Sequence, residues 1–308
     1  MPAEDERDVV IIGGGAAGVN CALECFDIQL DTELFEADDH VGGQLVEIPH
    51  SIRNLAAGRF ENGPALRRAL EESAAILGAR LRLSHAVTRV DLGERWVEVD
   101  GGRVHARALV LATGTSHQQL PAAADGAFGG AVTYQIESSN REQFVGRDVV
   151  VIGGGDSGTL DALELARSGS TVKLVHRSDA LSARDDIVEQ IHREPRIDDL
   201  AGWELESLHG GEHLEEVVLR RADGQRLRLA ARGLVVKIAR APRTQLFRGQ
   251  LDLNRAGAII VDDELRTSRD GVFAAGDVVA DAYARVAAAL GQGILAARSV
   301  LRYLEGQR

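Results

Sequence analysis

Short apolar runs that end in glycine set the pattern of this chain. Residues 8–12 (DVVII) follow an acidic lead and pass directly into Gly13-Gly14-Gly15-Ala16-Ala17-Gly18, which predicts a buried strand entering the N-terminus of a helix. Residues 32–35 predict a second strand, which delivers Glu36 eighteen residues past Gly18. That is near the offset at which a βαβ nucleotide unit presents an acid. The pattern recurs 140 residues later. Residues 148–152 (DVVVI) feed Gly153-Gly154-Gly155-Asp156-Ser157-Gly158, a helix is predicted over 159–167, and a strand over 171–175 delivers His176, again eighteen residues past the last glycine. One G-x-G-x-x-G among 34 glycines is a weak signal, but two in strand, turn and helix context predict two dinucleotide-binding units. The first glycine permits the tight turn, the second lets the backbone approach a pyrophosphate, and the third lets helix and strand pack closely.

Between the repeats, residues 78–90 and 95–99 read as short strands with a hairpin turn at Gly101-Gly102, and residues 108–111 (ALVL) run into Ala112-Thr113-Gly114. Pro121, after a polar linker, marks a crossing between domains. Past the second repeat, residues 203–208, 214–221 and 225–229 alternate and are joined by Gly210-Gly211 and Asp223-Gly224, which predicts an antiparallel meander. Residues 233–238 form a further buried strand, 241–244 a return crossing, 271–275 a strand entering Gly276-Asp277, and 285–303 a final helix. The fold class is α/β: two Rossmann-like dinucleotide-binding domains, each with a three-layer βα core and an antiparallel meander.

Composition narrows the function. A length of 308 residues suits two domains, and a net charge of −12 argues against general affinity for nucleic acid. With 27% charged residues and no apolar run near 18, a membrane span is not expected. The first eight residues carry four acids and no apolar core, so a signal peptide is not expected either and the protein is placed in the cytoplasm. Cys21 and Cys25, the two cysteines, are four apart on a predicted helix and read as small buried hydrophobes rather than a disulfide. His209 and His213 flank a glycine turn without a third ligand, so no metal site is expected. Residues 220–255 hold ten Lys+Arg and two Asp+Glu. That stretch reads either as a docking surface for an acidic redox protein or as charge scattered over two faces by strand alternation.

The ribose positions separate the two ligands. Glu36 can accept both hydroxyls of a ribose that lacks a 2′-phosphate, as in FAD or NAD. The second unit offers His176 and Arg177 instead, and arginine pairs bidentately with a 2′-phosphate. The order is FAD first and NAD(P)H second.

With these pieces placed, the chain resembles the low-molecular-weight thioredoxin reductase family of flavoproteins, together with its relatives the thioredoxin-reductase-type ferredoxin:NAD(P) reductases. The resemblance rests on GGGAAG at 13–18 with Glu36, GGQL at 42–45, ATG at 112–114, GGGDSG at 153–158, His176-Arg177 and AAGD at 274–277. It implies a discontinuous FAD domain over 1–117 and 245–308, an inserted NAD(P)H domain over 118–244, a rotation about the crossings and a homodimer. It implies flavin contacts from Gly13, Gly15, Ala16, Ala17, Gly18, Glu36, Gly43 and Gln44, with Asn54, Val87, Thr113, Gly114, Asp277, Arg285 and Val286 completing that set. Gly153, Gly155, Asp156, Ser157, Gly158, His176 and Arg177 would hold the nicotinamide nucleotide.

The departures from the family carry as much as the matches. Where its thioredoxin reductases place C-x-x-C, this sequence reads Ile136-Glu137-Ser138-Ser139, and the acid that follows is replaced by Asn140. Thioredoxin reduction by a dithiol relay is therefore not expected. The 2′-phosphate motif H-R-R with a further arginine reads His176-Arg177-Ser178 with Ser182, a loss of two charge-assisted contacts of about 1.5–3 kcal/mol each. Arg184 is near enough to replace part of it. The family's R-Q-A triplet reads Ala284-Arg285-Val286, and the sequence stops five residues after Tyr303, so the C-terminal flavin cover of the ferredoxin reductases is not expected. The leading reading is an enzyme that takes hydride from NAD(P)H onto FAD and passes electrons to an external acceptor, a ferredoxin- or flavodoxin-like protein or a small molecule. Two others stay open: an FAD oxidase or reductase with a non-nicotinamide donor, and a non-catalytic flavin-binding sensor.

Overall fold

The apolar runs that end in glycine become the central strands of two parallel sheets, each with its glycine turn at the carboxyl end. The computed structural model describes residues 6–48, 51–56, 58–118, 120, 123–124, 126–136, 140–238 and 240–307. One compact unit runs to Ser116 and resumes at Ala241; the other spans His117–Arg240. The return thus falls four residues before the expected 245, because the strand Arg240–Pro242 already lies at the crossing.

In the first unit the strand order is Leu81–Arg82, Thr32–Phe35, Glu6–Ile12, Gly102–Leu111, Trp96–Val99, Val87–Asp91. Ile12 stands opposite Phe35 and Leu111 in parallel register. The strand Gly102–Leu111 pairs antiparallel with Trp96–Val99 through its first half and parallel with Val272–Ala274 through its second. Val9 and Ile11 face a cluster shared with the helices Ala16–Asp27, Gly63–Ala74 and Val286–Gly306, while Val10 and Ile12 face the opposite cluster with Phe247 and Ile259. Burial on both faces explains why DVVII reads as a continuous apolar run.

Three local expectations change here. Residues 78–90 are not one strand: Gly78 and Ser84 take positive φ of 54° and 58°, and the run breaks into a 3-10 turn, Ala75–Arg80, and two strands at opposite edges of the sheet. The hairpin loop is Asp100-Gly101, both left-handed, while Gly102 already pairs with Val99. The third is the helix Gly63–Ala74, absent from the expected elements, although Asn62 caps it by accepting the Ala65 N–H at 2.8 Å and Pro64 sits in its first turn.

The second unit has five parallel strands in the order Ile197–Ala201, Thr171–His176, Asp148–Ile152, Gly233–Val236, Val132–Thr133. The helices Asp156–Arg167 and Asp185–Arg193 cover one face. The meander Glu204–Gly210, Leu214–Arg220, Arg226–Ala230 covers the other, burying Leu214, Val217 and Leu219 against Val150 and Val175. In both units the strand that feeds the glycine turn lies where strand order reverses, the place where open α/β sheets bind ligands. Among the described residues no helix is long and apolar enough to cross a membrane.

Candidate nucleotide-binding sites

The two glycine turns are built alike. In the first, a Cβ on Gly13 would lie 2.5 Å from the Ala112 carbonyl oxygen and one on Gly18 would lie 1.9 Å from that of Gly13, whereas one on Gly15 would meet nothing within 4 Å. Packing therefore demands the outer glycines, and the middle one leaves an open face at the helix N-terminus. Gly15 is the N-cap and supplies no side chain, so the first-turn amides at Ala16 and Ala17 point at that face. Glu36 leans over Gly14: its Oε2 accepts the Gly14 N–H at 2.6 Å and its Oε1 that of Asp38 at 2.9 Å.

Other segments close on this turn. Gly42 donates its N–H to the Gly14 carbonyl at 2.8 Å, and Gly43 lies against Gly15. Gln44 donates through Nε2 to Asp277 Oδ2 at 3.2 Å, with Gly114 beside its amide. Gly276 rests on Ala17 and donates to Gln292 Oε1 at 2.7 Å. Thr113 donates its hydroxyl to the Arg243 carbonyl at 2.7 Å and ties down the returning chain. Val87 is half-buried and opens the strand after Ser84 and His85, whose N–H groups bond to Asp38 and Glu36 carbonyls. Asn54 is exposed on a loop, Arg285 is the exposed N-cap of the last helix, and Val286 packs half-buried against the core.

In the second turn a Cβ on Gly153 would lie 2.1 Å from the Lys237 carbonyl oxygen and one on Gly158 would lie 2.1 Å from that of Gly153, while one on Gly155 would meet only Ser182 Oγ, at 3.7 Å. The helix starts at Asp156, three residues before the expected 159, so Asp156 and the exposed Ser157 belong to its first turn. Asp156 accepts the Arg184 N–H at 2.9 Å and lies 3.5 Å from the Arg184 guanidinium. Ser182 donates its N–H to the Gly154 carbonyl at 2.9 Å. His176 stands over Gly154 as Glu36 stands over Gly14, but its ring is buried and its Nε2 lies 2.7 Å from Asp199 Oδ1. Arg177 remains exposed.

Two residues of this unit escaped the sequence reading. Asp199 comes from the neighbouring strand, in register with Leu174, and the signal for it was the Asp198-Asp199 pair inside a predicted α/β unit. Lys237 ends the strand beside Gly153; its ammonium lies 3.2 Å from Asp161 Oδ2, both side chains are 5% exposed, and it donates to Gln135 Oε1 at 3.1 Å. Asn140 donates to the Gln135 carbonyl at 2.8 Å. Glu137, Ser138 and Ser139, like Pro121, lie outside the described residues.

Cys21 and Cys25 are both free and buried. The neighbouring Cys25 thiol, and then burial, push the Cys21 thiol well above the usual range, so it stays protonated and unreactive. A disulfide reagent at pH 8 is expected to label no thiol in the native protein and two after denaturation; labelling before unfolding would contradict this packing. The cation-rich stretch is divided between the two units, and its meander cations are engaged locally. Arg226 and Arg228 pair with Glu206 and Glu216 at 2.7 Å, Arg221 stacks over Trp203, and Arg243, Arg248 and Arg255 belong to the other unit. The Arg226 hydrogen bond holds the Glu206 carboxyl below its ordinary range. His209 is engaged with Ser207 Oγ at 2.9 Å.

Two glycine cradles of one construction in a single chain narrow the candidates to enzymes that hold two dinucleotides. Residues 7–293 match the family described as pyridine nucleotide-disulphide oxidoreductase. The chain belongs to that family. A thioredoxin reductase of Streptomyces clavuligerus is 35% identical over 97% of this chain and 94% of its own length. A 34.2 kDa protein in the rubredoxin operon of Clostridium pasteurianum is 28% identical over the whole of both. The crystal structure of Lactococcus lactis thioredoxin reductase superposes with a TM-score of 0.85 at 26% identity, covering 97% of this chain and 99% of the other. The T. acidophilum thioredoxin reductase structure gives 0.85 at 26%, covering 99% and 100%. The protein is an oxidoreductase flavoenzyme of this family, whose thioredoxin-reductase-type members use FAD and NADPH.

Proposed function

We propose that this pyridine nucleotide-disulphide oxidoreductase passes electrons from NAD(P)H through FAD to an acceptor outside the chain, without a dithiol relay. The observation that carries the proposal is the cysteine content. The two cysteines are buried on the helix Ala16–Asp27, and Ile136-Glu137-Ser138-Ser139-Asn140 stands where the family's thioredoxin reductases carry their redox pair and acid.

The residues present fit both dinucleotides. In the first unit the open face at Gly15, with the Ala16 and Ala17 amides, would receive the FAD pyrophosphate. Glu36, already fixed by two backbone N–H groups, would accept the adenosine ribose hydroxyls with its remaining lone pairs. Gly43, Gln44 and Asp277 form the other end of that set. In the second unit Gly155, Asp156 and Ser157 would hold the nicotinamide nucleotide's pyrophosphate. When bound, FAD supplies the hydride and electron chemistry. The chain's own side chains bind and orient, and no carboxylate, imidazole or thiol is required as acid or base.

The external acceptor in this reading is a ferredoxin- or flavodoxin-like carrier or a small molecule, and the protein works as a homodimer in the cytoplasm. The relative in a rubredoxin operon supports a small redox protein as acceptor. Within the second unit, Arg226 and Arg228 of the cation-rich stretch are already paired with Glu206 and Glu216, which lowers the charge it could offer an acidic carrier. Anaerobic addition of NADH or NADPH to the FAD-loaded protein is expected to bleach the flavin absorbance within seconds. With thioredoxin as acceptor, no disulfide reduction is expected with either donor; NADH- or NADPH-driven thioredoxin turnover by the full chain would overturn the proposal.

A further inference from the structure

The second unit places a buried imidazole, backed by a carboxylate, where a βαβ nucleotide unit presents its ribose-binding residue. The internal repeat supplies the comparison. Glu36 and His176 end equivalent strands and stand over equivalent glycines, with a Cβ on Gly14 falling 3.0 Å from the Glu36 side chain and one on Gly154 falling 2.9 Å from that of His176. Glu36 turns its carboxylate onto the glycine turn. His176 instead turns Nε2 onto Asp199 Oδ1 at 2.7 Å. A carboxylate accepts only, so Nε2 carries a proton, and in the neutral ring the lone pair is on Nδ1, with Ser178 Oγ 3.4 Å away. A ribose 2′-hydroxyl has a proton to give to that lone pair, and a phosphate dianion has none.

The surrounding charge points the same way. Asp199 Oδ2 lies 3.9 Å from His192, and Lys173 is taken up by Asp198. Arg184, which was expected to help hold a 2′-phosphate, is engaged by Asp156 and by Asp186 at 3.8 Å. With Arg184 engaged, Arg177 is exposed at the strand end, and Asp179, also exposed, follows two residues on. One exposed guanidinium gives a 2′-phosphate a single, solvent-screened partner.

We propose that His176 and Asp199 select a nicotinamide dinucleotide without a 2′-phosphate, so that the donor is NADH. His176 accepts the ribose 2′-hydroxyl, and Asp199 is a positioning residue that fixes the tautomer of the ring and excludes a phosphate. The inference rests on residues 117–240 being the nicotinamide unit. Its test uses redox-inert probes on the FAD-loaded protein, with dissociation constants for ADP-ribose and 2′-phospho-ADP-ribose measured by titration calorimetry. ADP-ribose is expected to bind about tenfold or more tightly than the phosphorylated probe. Asp199→Asn is expected to shrink that ratio about tenfold, and Arg177→Ala to weaken the phosphorylated probe alone. A ratio taken on one sample does not move with the fraction folded, so a merely structural role for Asp199 would leave it unchanged. Equal or reversed binding by the native protein, or an unchanged ratio in Asp199→Asn, would overturn the inference while leaving the nucleotide reading in place. Binding of neither probe would overturn both.

Discussion

Lys237→Met is expected to destabilise the second unit by up to roughly 3–5 kcal/mol, the cost of removing one charge from a buried ion pair. Lys237 and Asp161 are each 5% exposed and 3.2 Å apart. Water therefore compensates little for the lost ammonium, and the Gln135 amide loses its ammonium donor as well. The backbone oxygen of Lys237, on which Gly153 packs, is untouched by the substitution, so the loss isolates the charge. For a unit of this size the melting temperature should fall on the order of 10–15 °C. Calorimetry is the suitable measurement, because two units need not unfold in one transition. Pairing the change with Asp161→Leu should recover part of the loss, since it removes the buried charge that Lys237 had paired. A single-variant loss under about 1 kcal/mol would mean that solvent reaches the pair.

The same pair marks the limit of what the sequence discloses. Both glycine turns, the strands before them and the positions of Glu36 and His176 follow from local spacing, because a strand, a tight turn and a helix start are fixed within about thirty residues. What Glu36 and His176 do with their side chains does not follow. Glu36 bonds to the adjacent turn, while His176 bonds to Asp199, and that choice depends on which strand lies alongside. Lys237 is joined to Asp161 and Gln135 by sheet pairing over long separations, so no motif announces it. The cation-rich stretch left two readings open for a related reason: a count along the chain ignores both the opposite charges on neighbouring meander strands and the domain crossing near 240. The helix Gly63–Ala74 is different, for Asn62-Gly63-Pro64 is a local start signal that the apolar pattern overshadowed.

Gly15→Ala should separate folding from flavin binding, and Gly155→Ala should do the same for the nicotinamide nucleotide. Gly15 has φ −68° and ψ −177°, a conformation open to alanine, and a Cβ there meets nothing of the protein within 4 Å. The apoprotein should keep its stability or gain about 0.4–1 kcal/mol through a less mobile unfolded chain. The methyl would stand on the face where the backbone approaches a pyrophosphate. An overpacking cost of about 1–3 kcal/mol weakens FAD by roughly five- to 150-fold, read as flavin content after gel filtration and as a dissociation constant by fluorescence. Gly155→Ala, with only Ser182 Oγ nearby at 3.7 Å, should retain full flavin content and lose ADP-ribose binding by a similar factor. Gly18→Ala serves as the contrast: its Cβ would lie 1.9 Å from the Gly13 carbonyl oxygen, so stability and flavin should fall together. If Gly15→Ala purified fully yellow while Gly155→Ala came out colourless, the assignment of FAD to the first turn and the nicotinamide nucleotide to the second would have to be exchanged.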